Sequence, residues 1–154
     1  MRAETATGAI AVRRAGPLDA ALAAALHAGS FTRAWDEASM AQFLAAPSCL
    51  CLIASSTTGI APQGFLIVRT AGDEAELLTL AVEPQCRRKG IATALLGEAV
   101  RASRAAGAKR MFLEVDDGNA PALQLYESMG AVRVGKREAY YEHGAHASIF
   151  CLAL

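Results

Sequence analysis

The sequence lacks a net charge and a long apolar run, and each absence excludes a class of protein. Fifteen Lys and Arg residues balance fifteen Asp and Glu residues in a chain of 154 residues, whereas a nucleic-acid-binding domain usually carries a basic excess. The longest Ala/Leu-rich stretch, Leu18 to Gly29, contains Asp19 and falls short of the roughly 20 apolar residues that cross a bilayer. The amino-terminal residues up to Gly16 contain no apolar segment typical of a secretory signal. We therefore expect no direct contact with nucleic acid or membrane.

Cysteine is also scarce, and the four cysteines are Cys49, Cys51, Cys86 and Cys151. Their spacing fits neither a zinc site nor a dense disulfide framework, and the three histidines have no ligand spacing, so we expect no metal. Cys49 and Cys51 are two residues apart in a strand-like run, which predicts that both point to one face as small buried hydrophobes. These features are typical of a reduced, cytoplasmic protein.

Hydrophobic periodicity predicts an α/β fold of the α+β type, in which a mixed central sheet carries helices on both faces. Strands are predicted at Ile10–Arg14, Cys49–Ala54, Gly64–Arg69, Glu76–Val82, Met111–Val115, Val132–Val134 and Ser148–Leu152. Helices are predicted at Leu18–Ala28, Asp36–Ala45, Gly90–Ala106 and Asn119–Met129. No linker interrupts this order, so we expect one domain spanning residues 1–154.

The first candidate site is the segment from Leu80 to Thr93, which runs from a predicted strand through a turn into a helix. The first N–H groups of a helix have no partner within it, and together with the helix dipole they favour an anion such as a pyrophosphate. Gly90 lets the backbone approach a phosphate with no Cβ in the way, and the basic run Arg87 to Lys89 adds positive charge. Taken alone, this pattern also fits a solvated basic turn. The P-loop and Rossmann glycine motifs are absent, which disfavours those two classes.

The second candidate site lies between Leu113 and Gly130. Glu114 ends a predicted strand, and such strand ends line the ligand crevice in α/β sheets. Asn119 suits the N-cap of the following helix, whose apolar row is Ala122, Leu125 and Met129. Tyr126 is one step round from that row, where its hydroxyl could reach a polar space. Taken alone, Glu114 also fits a solvated strand end, and Tyr126 an aromatic residue at the edge of the core.

Together, the two segments resemble the GNAT family of N-acetyltransferases. The stretch Arg87-x-x-Gly90-x-Ala92 matches the family's pyrophosphate signature [QR]-x-x-G-x-[GA]. The Leu-Glu-Val, Asn, Ala, Leu-Tyr and Gly positions between Leu113 and Gly130 are similar to the RimI-like branch, the ribosomal-protein-S18-alanine N-acetyltransferases. The stretch Ala81–Pro84 and the pair Tyr140-Tyr141 resemble that branch too.

The resemblance implies the GNAT acyl-CoA N-acyltransferase fold and an enzyme that transfers acetyl directly from acetyl-CoA to a primary amine. It implies that Glu114 is the general base, that Tyr126 is the general acid and that Asn119 hydrogen-bonds the cofactor. The backbone contacts with the pantetheine and acetyl groups would come from Leu80, Ala81 and Val82. The pyrophosphate site would comprise Arg87 and the main-chain N–H groups of Arg88, Lys89, Gly90, Ile91, Ala92 and Thr93.

The implied acceptor is a protein N-terminus, the α-amine of the N-terminal alanine of ribosomal protein S18. Three positions depart from the family pattern. Ala34 precedes Trp35 where many members have Pro, Ala131 replaces a usual Phe, and Ala147 replaces a frequent acidic residue. The first departure bears on the acceptor-side loop, and the other two bear on packing.

Other interpretations stay open at this stage. The acceptor could be a small-molecule amine or another protein, and acceptor choice is predicted to depend on the first two helices and the Tyr140–His146 loop. The acidic run Asp73, Glu74 and Glu76 could attract a basic peptide N-terminus or form a solvated charge run. Cys86 offers an acetyl-cysteine route, and a non-catalytic acyl-CoA-binding domain is a further alternative. The sequence carries no signal for an oligomeric state.

Overall fold

The structure is a computed structural model that describes residues 9–31, 33–59, 61–138 and 146–154. The strands are β1 (Ile10–Arg14), β2 (Cys49–Ser56), β3 (Pro62–Ala71), β4 (Glu74–Val82), β5 (Arg110–Asp116), β6 (Val132–Arg137) and β7 (Ala147–Ala153). The helices are α1 (Ala20–Ala28), α2 (Glu37–Ala45), α3 (Ile91–Ala105) and α4 (Ala120–Ser128). The order is the predicted one, and β6 continues further than expected because its polar carboxyl half pairs with β7.

The strands form a single mixed sheet in the order β1-β2-β3-β4-β5-β7-β6. All neighbouring strands are antiparallel except β4 and β5, which are parallel and connected through α3. The predicted βαβ unit is therefore confirmed, and it lies at the centre of the sheet.

Helices cover both faces of the sheet, as predicted. On β3, Leu66 and Val68 belong to the core beneath α3 and α4, whereas Phe65 and Ile67 belong to the core beneath α1 and α2. This alternation is the period of two expected for a strand that is buried on both faces. Cys51 is buried in the second core and Cys49 is partly buried against it, which confirms that the two share one face. No helix in the described ranges has the length and apolar character that a membrane span requires.

The parallel strands β4 and β5 separate partway along their length. They pair only from Glu74–Leu77 on β4 to Arg110–Leu113 on β5. In the pairing with β3, Ile67 faces Thr79 and Val68 faces Leu77, so Leu78 is an extra residue in β4. Such a bulge bends and twists its strand. Beyond it, β4 continues to Val82 along β3 alone, and its other edge borders an opening that we call the β4–β5 gap.

Candidate active site

The edge of β4 that borders the gap presents backbone polar groups. The Glu83 N–H donates to the Gln63 carbonyl oxygen on the β3 side at 2.8 Å. The Val82 carbonyl belongs to the same peptide unit, so it points the opposite way, into the gap. Because orientation alternates along a strand, the N–H and C=O groups of Leu80 and Val82 face the gap, whereas those of Ala81 face Phe65 on β3. The backbone groups of Leu80 and Val82 therefore face the gap. They are two of the three residues that were predicted to contact the cofactor, and the backbone groups of the third, Ala81, face β3.

The anion loop, residues Pro84 to Gly90, connects β4 to α3. Arg88 has a φ of 63° and Gly90 a φ of 82°, both in the left-handed region. A side chain at such a φ is strained, and strain of this kind concentrates at ligand sites. Gly90 is the N-cap of α3 and supplies no side-chain hydrogen bond to it. The N–H groups at the start of the helix, from Ile91 to Thr93, therefore remain for an anion.

The three basic side chains of this loop have different surroundings. The Arg87 guanidinium turns back from the helix start: its Nε lies 3.3 Å from the Val82 carbonyl oxygen and its Nη2 3.4 Å from Ser30 Oγ. Arg88 and Lys89 are exposed. Their charges are thus the ones placed beside an anion at the helix N-terminus. Cys86 packs against the core beneath α3, which does not resemble a polar nucleophile site.

Gly64 on β3 is a site-shaping residue that the sequence reasoning missed. A Cβ there would lie 2.9 Å from the Ala81 carbonyl oxygen, 3.1 Å from Ile91 Cγ2 and 3.3 Å from Leu95 Cδ1. The absence of a side chain therefore lets the first turn of α3 lie directly on the sheet. A glycine inside a strand often marks such a close approach, and that signal was available in the sequence.

Asn119 caps α4, as predicted, because its Oδ1 accepts a hydrogen bond from the Ala122 N–H at 3.2 Å. Its side-chain NH₂ group is then the part that can donate to a ligand.

Tyr126 is more deeply buried than the sequence predicted. It is 5% exposed, and its ring meets Phe150 on β7 edge-on, with centroids 6.2 Å apart. The predicted apolar row of Ala122, Leu125 and Met129 is only partly buried. Tyr126 therefore lies deeper in the core than the row beside it. The helix is rotated so that Tyr126 faces the sheet, and its aromatic ring is the innermost side chain of α4.

Glu114 lies on the opposite face of the sheet from Tyr126. Leu113 and Val115 belong to the core beneath α3 and α4, so the side chain between them points to the other face. Glu114 is 30% exposed, and its Oε1 lies 3.2 Å from Nη2 of Arg137 on β6. Glu114 and Tyr126 therefore approach the sheet from opposite faces.

A cavity of about 330 Å³ extends from Glu114 across what we call the open face, which includes Arg69, Glu74, Glu76, Phe112, Glu114 and Arg137. Two further ion pairs cross this region: Arg69 meets Glu76 at 2.9 Å, and Arg110 meets Glu74 at 2.7 Å. The carboxylates of Glu74 and Glu76 are about half exposed and already paired. This favours the solvated charge run over an acidic attractor for a basic peptide.

An aromatic stack lies where α1 leads towards α2. His27 is 3% exposed, its ring centroid lies 4.3 Å from Phe31 and 4.8 Å from Trp35, and Trp35 stacks on Phe43. The backbone N–H of Trp35 donates to His27 Nδ1 at 3.1 Å, and burial lowers the pKa of His27 below its ordinary value. His27 is therefore neutral at pH 7. Within the described ranges, no group of His, Cys, Asp or Glu side chains could hold a metal ion.

Part of the predicted acceptor region falls outside the described residues. Tyr140, Tyr141 and His143 belong to that part, and only His146 of the Tyr140–His146 loop is described. Among the positions that depart from the family pattern, Ala131 and Ala147 are both buried, in keeping with roles in packing.

The comparisons with known proteins indicate the same family. The profile described as the acetyltransferase (GNAT) family matches residues 21–131. The [ribosomal protein bS18]-alanine N-acetyltransferase of Escherichia coli K12 is 38% identical over 77 residues, which are 50% of this chain and 52% of that protein. The match thus spans about half the length of this relative. A putative enzyme of the same description from Bacillus subtilis is 28% identical over 131 residues, or 84% of this chain and 85% of that protein.

Solved structures agree with this comparison. The crystal structure of the E. coli ribosomal-protein-S18-alanine N-acetyltransferase has a TM-score of 0.86 at 26% identity, covering 94% of each chain. Arabidopsis thaliana NAA60 in complex with acetyl-CoA has the same fold, with a TM-score of 0.85 at 20% identity, covering 95% of this chain and all of that one. The family profile covers most of the chain, so this chain belongs to the acetyltransferase (GNAT) family.

Proposed function

We propose that this chain, acting as a single N-acetyltransferase domain, transfers acetyl from acetyl-CoA to the α-amine of a protein N-terminus, the N-terminal alanine of ribosomal protein S18. The observation that carries the proposal is the β4–β5 gap. It has backbone polar groups of Leu80 and Val82 along one edge and the anion loop at the end of β4, and Glu114 lies on β5 just beyond the last residue that pairs with β4. The described relatives from E. coli and B. subtilis support the choice of acceptor.

The anion loop fits the pyrophosphate of acetyl-CoA. Its two left-handed residues, Arg88 and Gly90, lead into a helix whose first N–H groups have no partner within the helix. These groups bind the pyrophosphate, with Arg88 and Lys89 adding charge and the NH₂ of Asn119 adding a donor. The edge of β4 at Leu80 and Val82 then aligns the pantetheine arm and brings the thioester into the gap.

In the transfer step, Glu114 removes a proton from the acceptor amine, directly or through a water, as the nitrogen attacks the thioester carbon. Backbone N–H groups at the β4 edge near Val82 stabilise the oxyanion that forms. When the carbon–sulfur bond breaks, Tyr126 protonates the departing thiolate. An α-amine has a reference pKa of about 7.7–8.0 and a lysine side chain one of about 10.4, so an N-terminal acceptor needs less help from the base.

The function is tested by acetyl-CoA turnover near neutral pH. The panel contains peptides that begin with Ala, Ser, Thr or Met, an N-terminally blocked peptide with an internal lysine, and a small primary amine. We expect the peptide with a free N-terminal alanine to be a far better acceptor than the blocked lysine peptide. Equal rates would instead assign a generic amine acetyltransferase. Acetyl-CoA binding without turnover of any acceptor would assign an acyl-CoA-binding domain.

A further inference from the structure

The carbonyl oxygen of Val82 is contacted from two distant parts of the chain. Arg87 Nε lies 3.3 Å from it and Ser30 Oγ lies 3.5 Å from it, while Arg87 Nη2 also reaches Ser30 Oγ at 3.4 Å. The three groups, the Val82 carbonyl, the Arg87 guanidinium and the Ser30 hydroxyl, form a closed triangle at the end of β4. Since this carbonyl points into the gap, the triangle borders the path along which the reacting groups meet.

The two side chains belong to different halves of the site. Arg87 sits in the anion loop, immediately before the left-handed residue Arg88. Ser30 sits 57 residues earlier, in the connection between α1 and α2, next to Phe31 of the aromatic stack. That connection carries Trp35, which the family resemblance places in the acceptor-side loop, so under the proposed function the triangle joins the cofactor-binding loop to an acceptor-side segment.

We propose that Arg87 is a positioning residue that couples acetyl-CoA binding to the order of the α1–α2 connection, an inference that rests on the proposed function for the identity of the two ligands. An anion held by the N–H groups from Arg88 onward fixes the backbone beside Arg87, and with it the direction of the guanidinium. The planar guanidinium carries several N–H donors in a fixed geometry and can hold the Val82 and Ser30 oxygens together, which a lysine ammonium does less well.

The three contacts, at 3.3–3.5 Å, are long for hydrogen bonds, so each of them is weak on its own. A bound anion strengthens the triangle by removing the freedom of the Arg87 backbone. Coupling of this kind is reciprocal, so an acceptor that orders the α1–α2 connection raises the affinity for acetyl-CoA by the same factor.

The direct test is amide hydrogen exchange with and without saturating acetyl-CoA, with bound cofactor verified by calorimetry. In the wild-type protein, acetyl-CoA should slow exchange in the segment that carries Ser30 about threefold or more, as well as at the start of α3. In Arg87→Met and in Ser30→Ala the protection at the start of α3 should persist, and the protection around Ser30 should be lost. Arg104→Met is the matched control, because Arg104 is an exposed arginine in the last turn of α3, and it should behave as wild type.

Full protection around Ser30 in both variants would overturn the coupling. If Arg87→Met fails to bind acetyl-CoA, Ser30→Ala decides the matter, since Ser30 lies outside the anion loop. A double-mutant cycle on the acceptor KM gives a second readout, because coupled residues show non-additive effects and independent residues add. The exchange experiment needs no acceptor. If the free N-terminal alanine peptide were not the preferred acceptor, the proposed acceptor would be wrong. The hydrogen-exchange result would still decide whether Arg87 couples the two segments.

Discussion

The cofactor side and the open face of this protein are built in different ways. The cofactor side is one continuous stretch, Leu80 to Thr93, and its ligand groups are main-chain N–H and C=O groups placed by a bulge, two left-handed residues and a helix start. The open face consists of side chains that β3, β4, β5 and β6 bring together, and most of them are held in ion pairs. A backbone site depends on conformation, whereas a side-chain site depends on chemical identity.

This difference determines which substitutions impair the cofactor side and which impair the open face. On the cofactor side, the sensitive substitutions are those that a left-handed φ or a close approach excludes, as at Gly90 and Gly64. On the open face, the sensitive substitutions are those that remove a proton-accepting group, as at Glu114. The four predictions below separate these two kinds of sensitivity, beginning with the largest expected effect.

Glu114→Gln should lower turnover by about 10²–10⁴-fold at neutral pH, because it keeps the shape of the side chain and removes the proton acceptor. The loss should shrink at high pH, where a larger fraction of the acceptor amine is already deprotonated. Steady-state rates across pH with the alanine peptide measure this effect. Near-normal activity of the variant at pH 7 would show that solvent, or the amine's own ionisation, takes the place of the base.

Tyr126→Phe should lower turnover by about 10–10²-fold, at or below the lower end of the usual value of a proton donor. The Phe ring retains the packing against Phe150. Unlike the Glu114 variant, this one should not recover at high pH, because the missing proton is delivered to the leaving thiolate. Recovery in alkali would contradict the role of Tyr126 as acid.

Gly90→Ala should weaken acetyl-CoA binding about five- to thirtyfold, because the loop of the variant relaxes out of the left-handed region and binding must restore that conformation at a cost of roughly 1–2 kcal/mol. Gly97→Ala is the matched control. A Cβ at either glycine meets nothing within 4 Å, but only Gly90 has a positive φ. Calorimetric titration with acetyl-CoA compares the two. Equal affinities would mean that the Gly90 conformation does not shape the anion site.

His27 should give the smallest effect, a pH-dependent loss of stability. Burial lowers its pKa in the folded protein below the value of about 6.5 expected for the unfolded chain. Between these two values the unfolded chain binds more protons, so stability rises with pH. The contribution is fully present above the unfolded pKa and is lost as the pH falls through the lowered folded pKa, at no more than about 1.4 kcal/mol per pH unit.

Denaturant unfolding between pH 5 and pH 8 measures this slope. His27→Gln has no imidazole that can take up the proton. A smaller slope of the unfolding free energy against pH in this variant would assign the pH dependence to His27. Carboxyl groups whose pKa is lowered, such as Asp19 beside Arg13, titrate below this range and should not contribute. An unchanged slope in His27→Gln would assign the pH dependence to another group.

Much of this fold could be predicted from sequence, because its strands are short apolar runs and α2 and α4 begin at capping side chains, Asp36 and Asn119. The carboxyl half of β6 could not, since Gly135, Lys136 and Arg137 read as a polar turn and become a strand only by pairing with β7. The bulge at Leu78 could not be read either, because the apolar run continues through it.

In the candidate site, too, the features set by consecutive residues could be predicted, and those set by contacts between distant residues could not. The anion loop could be predicted because its residues are consecutive and their spacing carries the signature. The direction of the Arg87 side chain could not, since it depends on Ser30, which is far away in sequence. The ion pair between Glu114 and Arg137 depends likewise on the pairing of β6 with β7, and the burial of Tyr126 depends on how α4 is rotated against Phe150.

The central claim is that the backbone of β4 and the anion loop holds acetyl-CoA, while Glu114 acts only on the acceptor. The most direct test is the acetyl-CoA dissociation constant of Gly90→Ala and Glu114→Gln, measured side by side with the wild-type protein. Gly90→Ala should bind acetyl-CoA about five- to thirtyfold more weakly. Glu114→Gln should bind it as the wild-type protein does, although its turnover is largely lost. Wild-type affinity in Gly90→Ala together with weakened affinity in Glu114→Gln would contradict this division of the site.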